Sequence, residues 1–125
     1  MDEKGFSIWI PVVFPSRNVS ERAARSNKFS GASLKKKYTE LAALFIGRWV
    51  RRDWIPLKRY SVSFLWVCKD ERHDPDNVMS GMKYVLDGMV AAGLVAGDGW
   101  RHVQKIENRF TIDKLNPGVE ISISV

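Results

Sequence analysis

An α+β fold, with helices packed on one mixed sheet, is predicted by three observations. Two apolar stretches of strand length stand at Phe6 to Phe14 and Tyr60 to Cys68. Two longer stretches carry apolar residues at three- and four-residue steps, as helices do. Two more strand-like stretches follow, joined by a turn at Asn116-Pro117-Gly118. The predicted order is β-α-β-α-β-β, read as one domain over 1–125, with no repeat, low-complexity tract or dividing linker.

Phe6 to Phe14 (FSIWIPVVF) reads as a strand whose proline suits an edge or a bulge. Pro15 to Ser30, rich in Arg, Asn and Ser, reads as a long loop, and such loops inside a compact domain are usually functional or disordered. Ser33 to about Asp53 reads as a helix with the stripe Leu34, Tyr38, Leu41, Phe45 and Trp49, an N-cap at Ser33 and a stop at Pro56. Lys35, Lys36 and Lys37 would then fall in its first turn, where cations oppose the helix dipole. Tyr60 to Cys68 (YSVSFLWVC) is a strand of near-alternating pattern. Asn77 to about Ala92 reads as a second helix with the stripe Val78, Met82, Val85, Leu86 and Met89, ended at Gly93. Arg101 to Ile112 and Val119 to Val125 read as the last two strands.

With 125 residues, the chain is long enough for a modest core, and its 45% apolar and 27% charged residues place it among globular proteins. The single Cys68 excludes an intrachain disulfide and reads as a buried, inert thiol, which suits a reducing cytoplasm. No signal peptide and no membrane span is expected, since Pro11 and Pro15 interrupt the only apolar run near the start. The net charge of +6 is uneven: residues 17 to 59 hold twelve Lys/Arg against three acids, a local balance of +9 that leaves −3 for the remainder. Such asymmetry is an electrostatic footprint for a polyanion.

Against that basic background stand Asp74-Pro75-Asp76-Asn77 and, beyond the second predicted helix, Asp98. Hard cations such as Mg²⁺ are held by one or two carboxylates, with water and substrate phosphate completing the shell. In an extended segment leaving a strand, the two-residue step sends Asp74 and Asp76 to the same side. A plainer reading is also open, in which Asp76 or Asn77 caps the second helix and Asp98 is a turn aspartate in Gly97-Asp98-Gly99. A metal together with a basic surface points to phosphodiester chemistry on a nucleic acid. His73 and His102, with one cysteine, make no zinc pattern.

The segment Arg72 to Val103 resembles the signature of the RusA family of Holliday-junction resolvases. The shared elements are Asp74-Pro75-Asp76-Asn77, Leu86-Asp87-Gly88-Met89, Ala92-Gly93 and Asp98, in a segment that covers about a quarter of the chain. The resemblance implies a small dimeric, Mg²⁺-dependent endonuclease (Mn²⁺ serving as well) with Asp74, Asp76 and Asp98 as metal-binding, catalytic carboxylates and a 5′-phosphate product. The family also has a functional lysine. Counted forward from Asp76 its position is Ser80; counted back from Asp87 it is Lys83, so this chain holds about three extra residues in the helix. Lys83 is the candidate, with a surface i,i+4 pair to Asp87 as its alternative role. Asp87 itself lies too far along a helix from Asp76 to share a metal, on the order of 16 Å.

Pro15-Ser16-Arg17-Asn18 falls where the family tends to carry a similar sequence, so Arg17, Asn18, Arg25, Asn27 and Lys28 are expected phosphate contacts. Lys35, Lys36, Lys37, Arg72 and His73 complete the expected DNA-binding set, with a plain loop role open for His73. The expected substrate is a four-way junction or other branched DNA. Its twofold symmetry implies a homodimer, with Trp9, Trp49, Trp54 or Trp66 as candidate interface residues. The alternative function is a non-catalytic junction-binding recombination accessory protein.

Overall fold

In a computed structural model, residues 5–125 are described; the side chain of Lys28 lies outside the described residues. The elements are β1 (Phe6–Ile10), α1 (Arg17–Ser26), α2 (Lys28–Trp49), β2 (Tyr60–Cys68), α3 (Pro75–Val78), a 3₁₀ turn (Met79–Gly81), α4 (Met82–Ala91), β3 (Val103–Ile112) and β4 (Gly118–Ser124). The strands form one mixed sheet in the order β1-β4-β2-β3. β4 runs antiparallel to both β1 and β2, and β2 runs parallel to β3. The α+β class stands, with one helix more before β2 than the sequence pattern predicts.

Each strand is amphipathic across the sheet. Tyr60, Val62, Phe64 and Trp66 of β2 are buried, as are Val119, Ile121 and Ile123 of β4 and Ile8 and Ile10 of β1. On the opposite face Ser7 and Ser122 hydrogen-bond at 2.9 Å. The helices cover the apolar face through Ala42 and Ile46 of α2 and Val85 and Met89 of α4. Each fully buried Ile or Phe contributes on the order of 1.5–3 kcal/mol. The α2 stripe therefore centres on Ala42 and Ile46, with Tyr38, Phe45 and Trp49 at its margins.

Several expectations are corrected. The first strand stops at Ile10, because Pro11 lacks an amide and the Val12 amide turns back to the Ile10 carbonyl at 2.8 Å. The expected loop over Pro15 to Ser30 is mostly helix α1. No residue of α1 is buried, so an apolar stripe could not announce it. It is held from outside: Ser20 Oγ lies 2.7 Å from the Tyr84 hydroxyl on α4, and Gly31 lets α2 close on Ala24. The long helix begins at Lys28, capped by the Asn27 side chain, which accepts from the Ser30 amide at 2.7 Å; Ser33 is not its cap. Lys35, Lys36 and Lys37 consequently lie in the helix interior, and the dipole argument about them lapses.

The expected continuous helix from Asn77 is broken by the three-residue 3₁₀ turn Met79–Gly81. Gly81 is buried there, where a Cβ would sit 2.9 Å from Phe14 Cβ. Gly93 ends α4 as expected, at φ +77°. Trp66 is buried in the core, and Trp49 and Trp54 pack with Phe6, so none of the three offers a free interface; Trp9 remains half-exposed.

Candidate functional site

The parallel β2–β3 pair requires a crossover, and all the candidate acids ride on it. Asp74 follows β2 as the N-cap of α3, with its carbonyl accepting from the Asn77 and Val78 amides at 3.0 Å each. Pro75 takes the first helical position, where its missing amide costs nothing. Asp76 is therefore helical rather than extended, and the alternation expected to align it with Asp74 is absent. Both side chains face solvent. Asp76 Oδ2 lies 3.9 Å from Arg17 at the start of α1, which brings one expected phosphate contact beside one expected metal ligand. Arg17 also lies 3.8 Å from Glu21.

Asp98 sits at the other end of the crossover. Its loop is pinned by the Leu57 amide bonded to the Leu94 carbonyl (3.0 Å) and the Ala96 amide bonded to the Leu57 carbonyl (2.8 Å). The Tyr60 hydroxyl donates to the Gly97 carbonyl at 2.9 Å. Gly97 is required by a close approach: a Cβ there would lie 2.5 Å from the His102 ring, whose Nδ1 is 2.8 Å from the Lys58 carbonyl. His102 is thus a packing residue.

Lys83 connects the parts. Its ammonium donates to Asp98 Oδ2 at 3.2 Å and also lies 3.0 Å from Asp87 Oδ1, while Lys35 Nζ lies 3.8 Å from Asp87 Oδ2. The i,i+4 pair and the contact to the third candidate acid coexist in one side chain. Ser80, the other position considered for the lysine, donates to the Asn77 carbonyl at 2.7 Å and serves the 3₁₀ turn. The Lys83 pKa is raised by its hydrogen bond to Asp87, opposed by partial burial and reinforced by Asp98. Burial and then Asp98 push the Tyr60 phenol up to about 12. Cys68 is half-buried rather than buried as expected; what burial it has, with Asp70 adding, raises its thiol pKa.

Among the described residues no three His, Cys, Asp or Glu side chains converge as a ready metal group. Asp74 and Asp76 are nonetheless the donor type a hard cation takes, and such a cation needs only one or two carboxylates when water and phosphate complete its shell. Asp98 is engaged by Lys83 instead.

Arg17, Asn18, Arg25, Asn27, Lys35, Lys36 and Lys37 are all exposed along α1 and α2; the expected contact of Lys28 lies outside the described residues. Arg72 and His73 are exposed and line a cavity of about 330 Å³ whose walls include Phe14, Tyr38 and Trp66. Trp100, two residues past Asp98, is 99% exposed. Sequence reasoning passed over it, although a tryptophan directly after Gly97-Asp98-Gly99 carried the signal: a bulky apolar side chain in a turn has no core to enter.

Comparison of the chain with protein-family models returns no match, and comparison with curated protein sequences returns none. Among the described residues no helix is long and apolar enough to cross a membrane.

Proposed function

We propose that the chain is a Mg²⁺-dependent, structure-selective endodeoxyribonuclease of the RusA kind, cutting four-way junctions and related branched DNA as a homodimer in the cytoplasm. The observation that carries this reading is the 3.2 Å contact between Lys83 and Asp98. It joins the lysine and the third acid of the resembled signature, fifteen residues apart in the chain.

Asp74 and Asp76 offer the carboxylate oxygens for Mg²⁺ or Mn²⁺. When bound, the ion activates a water and neutralises charge on the scissile phosphate. The Lys83 ammonium, already fixed between Asp87 and Asp98, is positioned to share in stabilising phosphate charge. Arg17, Asn18, Arg25 and Asn27 on and beside α1, with Lys35, Lys36 and Lys37 on α2, receive the DNA backbone. Arg72 and His73 flank the same acids, and Trp100 offers a ring on which an unpaired base near the junction stacks. The bond broken is between phosphorus and the 3′ oxygen, which leaves a 5′-phosphate.

A second reading, a junction-binding accessory protein without catalysis, is favoured by one observation: Asp98 is held by Lys83 and the three candidate acids do not converge. A synthetic four-way junction, incubated with Mg²⁺, Mn²⁺ or EDTA and with wild type or Asp76→Asn, separates the two. Paired symmetric nicks that need both metal and Asp76 are expected. Tight binding with no cut in either metal transfers the protein to the accessory class.

A further inference from the structure

The cavity of about 330 Å³ lies at the carboxyl end of β2, where Val67, Cys68 and Lys69 line it. Parallel strand–crossover–strand units bind their ligands beyond that end of the strand. The volume falls within the ~300–1,000 Å³ of small-molecule sites. Three aromatic residues stand in the walls: Phe14 from the segment after β1, Tyr38 from α2 and Trp66 from β2. The Phe14 and Tyr38 rings are 6.0 Å apart, centroid to centroid. Leu34 and Val78 add aliphatic surface.

Polar groups meet these walls in two places. Ser16, the N-cap of α1, lines the cavity and is only 7% exposed. Its hydroxyl bonds none of the α1 amides that an N-cap side chain ordinarily receives, nor any other group among the described residues. A buried hydroxyl without a partner is rare in a folded protein and calls for one. Lys69, Arg72 and His73 also line the cavity and are exposed, so they form its rim. Asp70 is the one acid among the lining residues, and its carboxylate is engaged by the Arg72 amide at 3.0 Å. Aromatic walls, an unpartnered hydroxyl and a cationic rim suit a planar ring with a hydrogen-bonding edge and a phosphate attached. His73 directly precedes Asp74, so the rim adjoins the first candidate metal ligand.

We infer that the cavity holds one nucleotide of the DNA substrate, turned out of its helix, with the base against Phe14, Tyr38 and Trp66 and the phosphate at Lys69 and Arg72. A base that lacks a pairing partner is the least costly to turn out, and a branch point is where such bases occur. Capture of one nucleotide fixes the register of its strand against Asp74. The choice of DNA as the source rests on the function proposed above. A free mononucleotide carries the same chemistry, and the test separates the two.

The test is binding of the full chain to four-way junctions, in EDTA so that nothing is cut, followed by fluorescence anisotropy. One unpaired base is placed at successive positions about the branch point and compared with an abasic site at the same position. Val19→Trp is the decisive variant. Val19 lines the cavity, is 40% exposed and belongs to α1, which buries no residue, so the larger ring fills the cavity without entering the core. Leu34→Trp fills it from α2, and circular dichroism checks that both variants are folded. At one position or more, wild type should bind the unpaired base about tenfold or more tighter than the abasic site, the order expected for one stacked base. Both variants should lose that difference and keep wild-type affinity for the abasic junction. A preference that both variants retain belongs to Trp100 and overturns the inference. So does a wild type indifferent to the missing base at every position. Calorimetric titration with deoxynucleoside 5′-monophosphates covers the other source: binding lost in Val19→Trp, beside junctions bound alike with and without the base, assigns the cavity to a free nucleotide and overturns the inference. Failure of the DNA-directed function looks different, since no junction of any kind is then bound, and the inference falls with it.

Discussion

The buried hydroxyl of Tyr60, at the start of β2, donates to the Gly97 carbonyl at 2.9 Å, one residue before Asp98. A core residue thereby sets the height of the loop that carries a candidate catalytic acid. Tyr60→Phe removes the donor and leaves the carbonyl without that partner. A loss of about 0.5–1.5 kcal/mol is expected from denaturant unfolding, with slower junction cleavage and unchanged junction affinity. Wild-type stability and rate in the variant would show that the bond does not position the loop.

The same phenol gives a pH dependence. Its folded pKa is pushed up to about 12, above the ~10 of a free tyrosine. A raised folded value means that the contribution is fully present below the unfolded pKa and is lost as pH rises through the folded one. Stability should therefore decline in the alkaline window between about 10 and 12. Tyr60 should also ionise above the ordinary tyrosine range in an absorbance titration.

Lys83 is mostly exposed, so its ion pairs contribute little to folding, roughly 0–1 kcal/mol. Its charge matters to the proposed chemistry. With its pKa raised, the ammonium persists past the ordinary lysine range and is lost only at still higher pH. Lys83→Gln should leave unfolding nearly unchanged and slow cleavage by about 10²–10³-fold, the usual loss for one charge-stabilising donor. An equal rate in the variant would reduce Lys83 to a surface ion pair with Asp87.

Trp100 buries almost nothing, so Trp100→Ala should change stability by less than about 0.5 kcal/mol. Binding to a junction with unpaired bases should weaken by about 1–3 kcal/mol, as for one stacked base. Titration by fluorescence anisotropy measures it, and an unchanged Kd would leave the side chain without a role in DNA binding.

Gly88 is where α4 meets α2. A Cβ there would lie 2.6 Å from Ala42 Cβ and 3.0 Å from the Ala43 amide nitrogen. Alanine gains up to about 1 kcal/mol of helix propensity over glycine, but overpacking costs about 1–3 kcal/mol. Gly88→Ala should thus lower Tm, as thermal unfolding will show; a rise would mean that the helices part freely.

The legible parts of the fold were those whose apolar pattern faces the core directly. Tyr60 to Cys68 was readable to the residue because its alternate side chains enter the core, and Gly93 because only a positive φ ends α4 there. Helix α1 was not legible, since its support comes from Tyr84 and Gly31, neither of which lies in it. In the candidate site, Asp74, Asp76 and Asp98 were found by residue type and spacing. Their arrangement was not, because Pro75 starts a helix between the first two and the return of the 94–98 loop depends on Leu57. The contact of Lys83 with Asp98 was likewise not legible, because it is a tertiary contact to a side chain from beyond α4, while Ser80 bonds locally to the Asn77 carbonyl.

The strand order β1-β4-β2-β3 has a consequence in time. β4 follows the other three strands in the chain, yet it lies between the first two. β1 has no hydrogen-bonded neighbour until β4 inserts beside it. A nascent chain that has extruded the whole basic region, and even the crossover with its acids, still lacks the strand that joins the two halves of its sheet. The two halves of the sheet are therefore joined only once β4 is in place, and the basic region carried on α1 and α2 is not locked against a complete sheet before that.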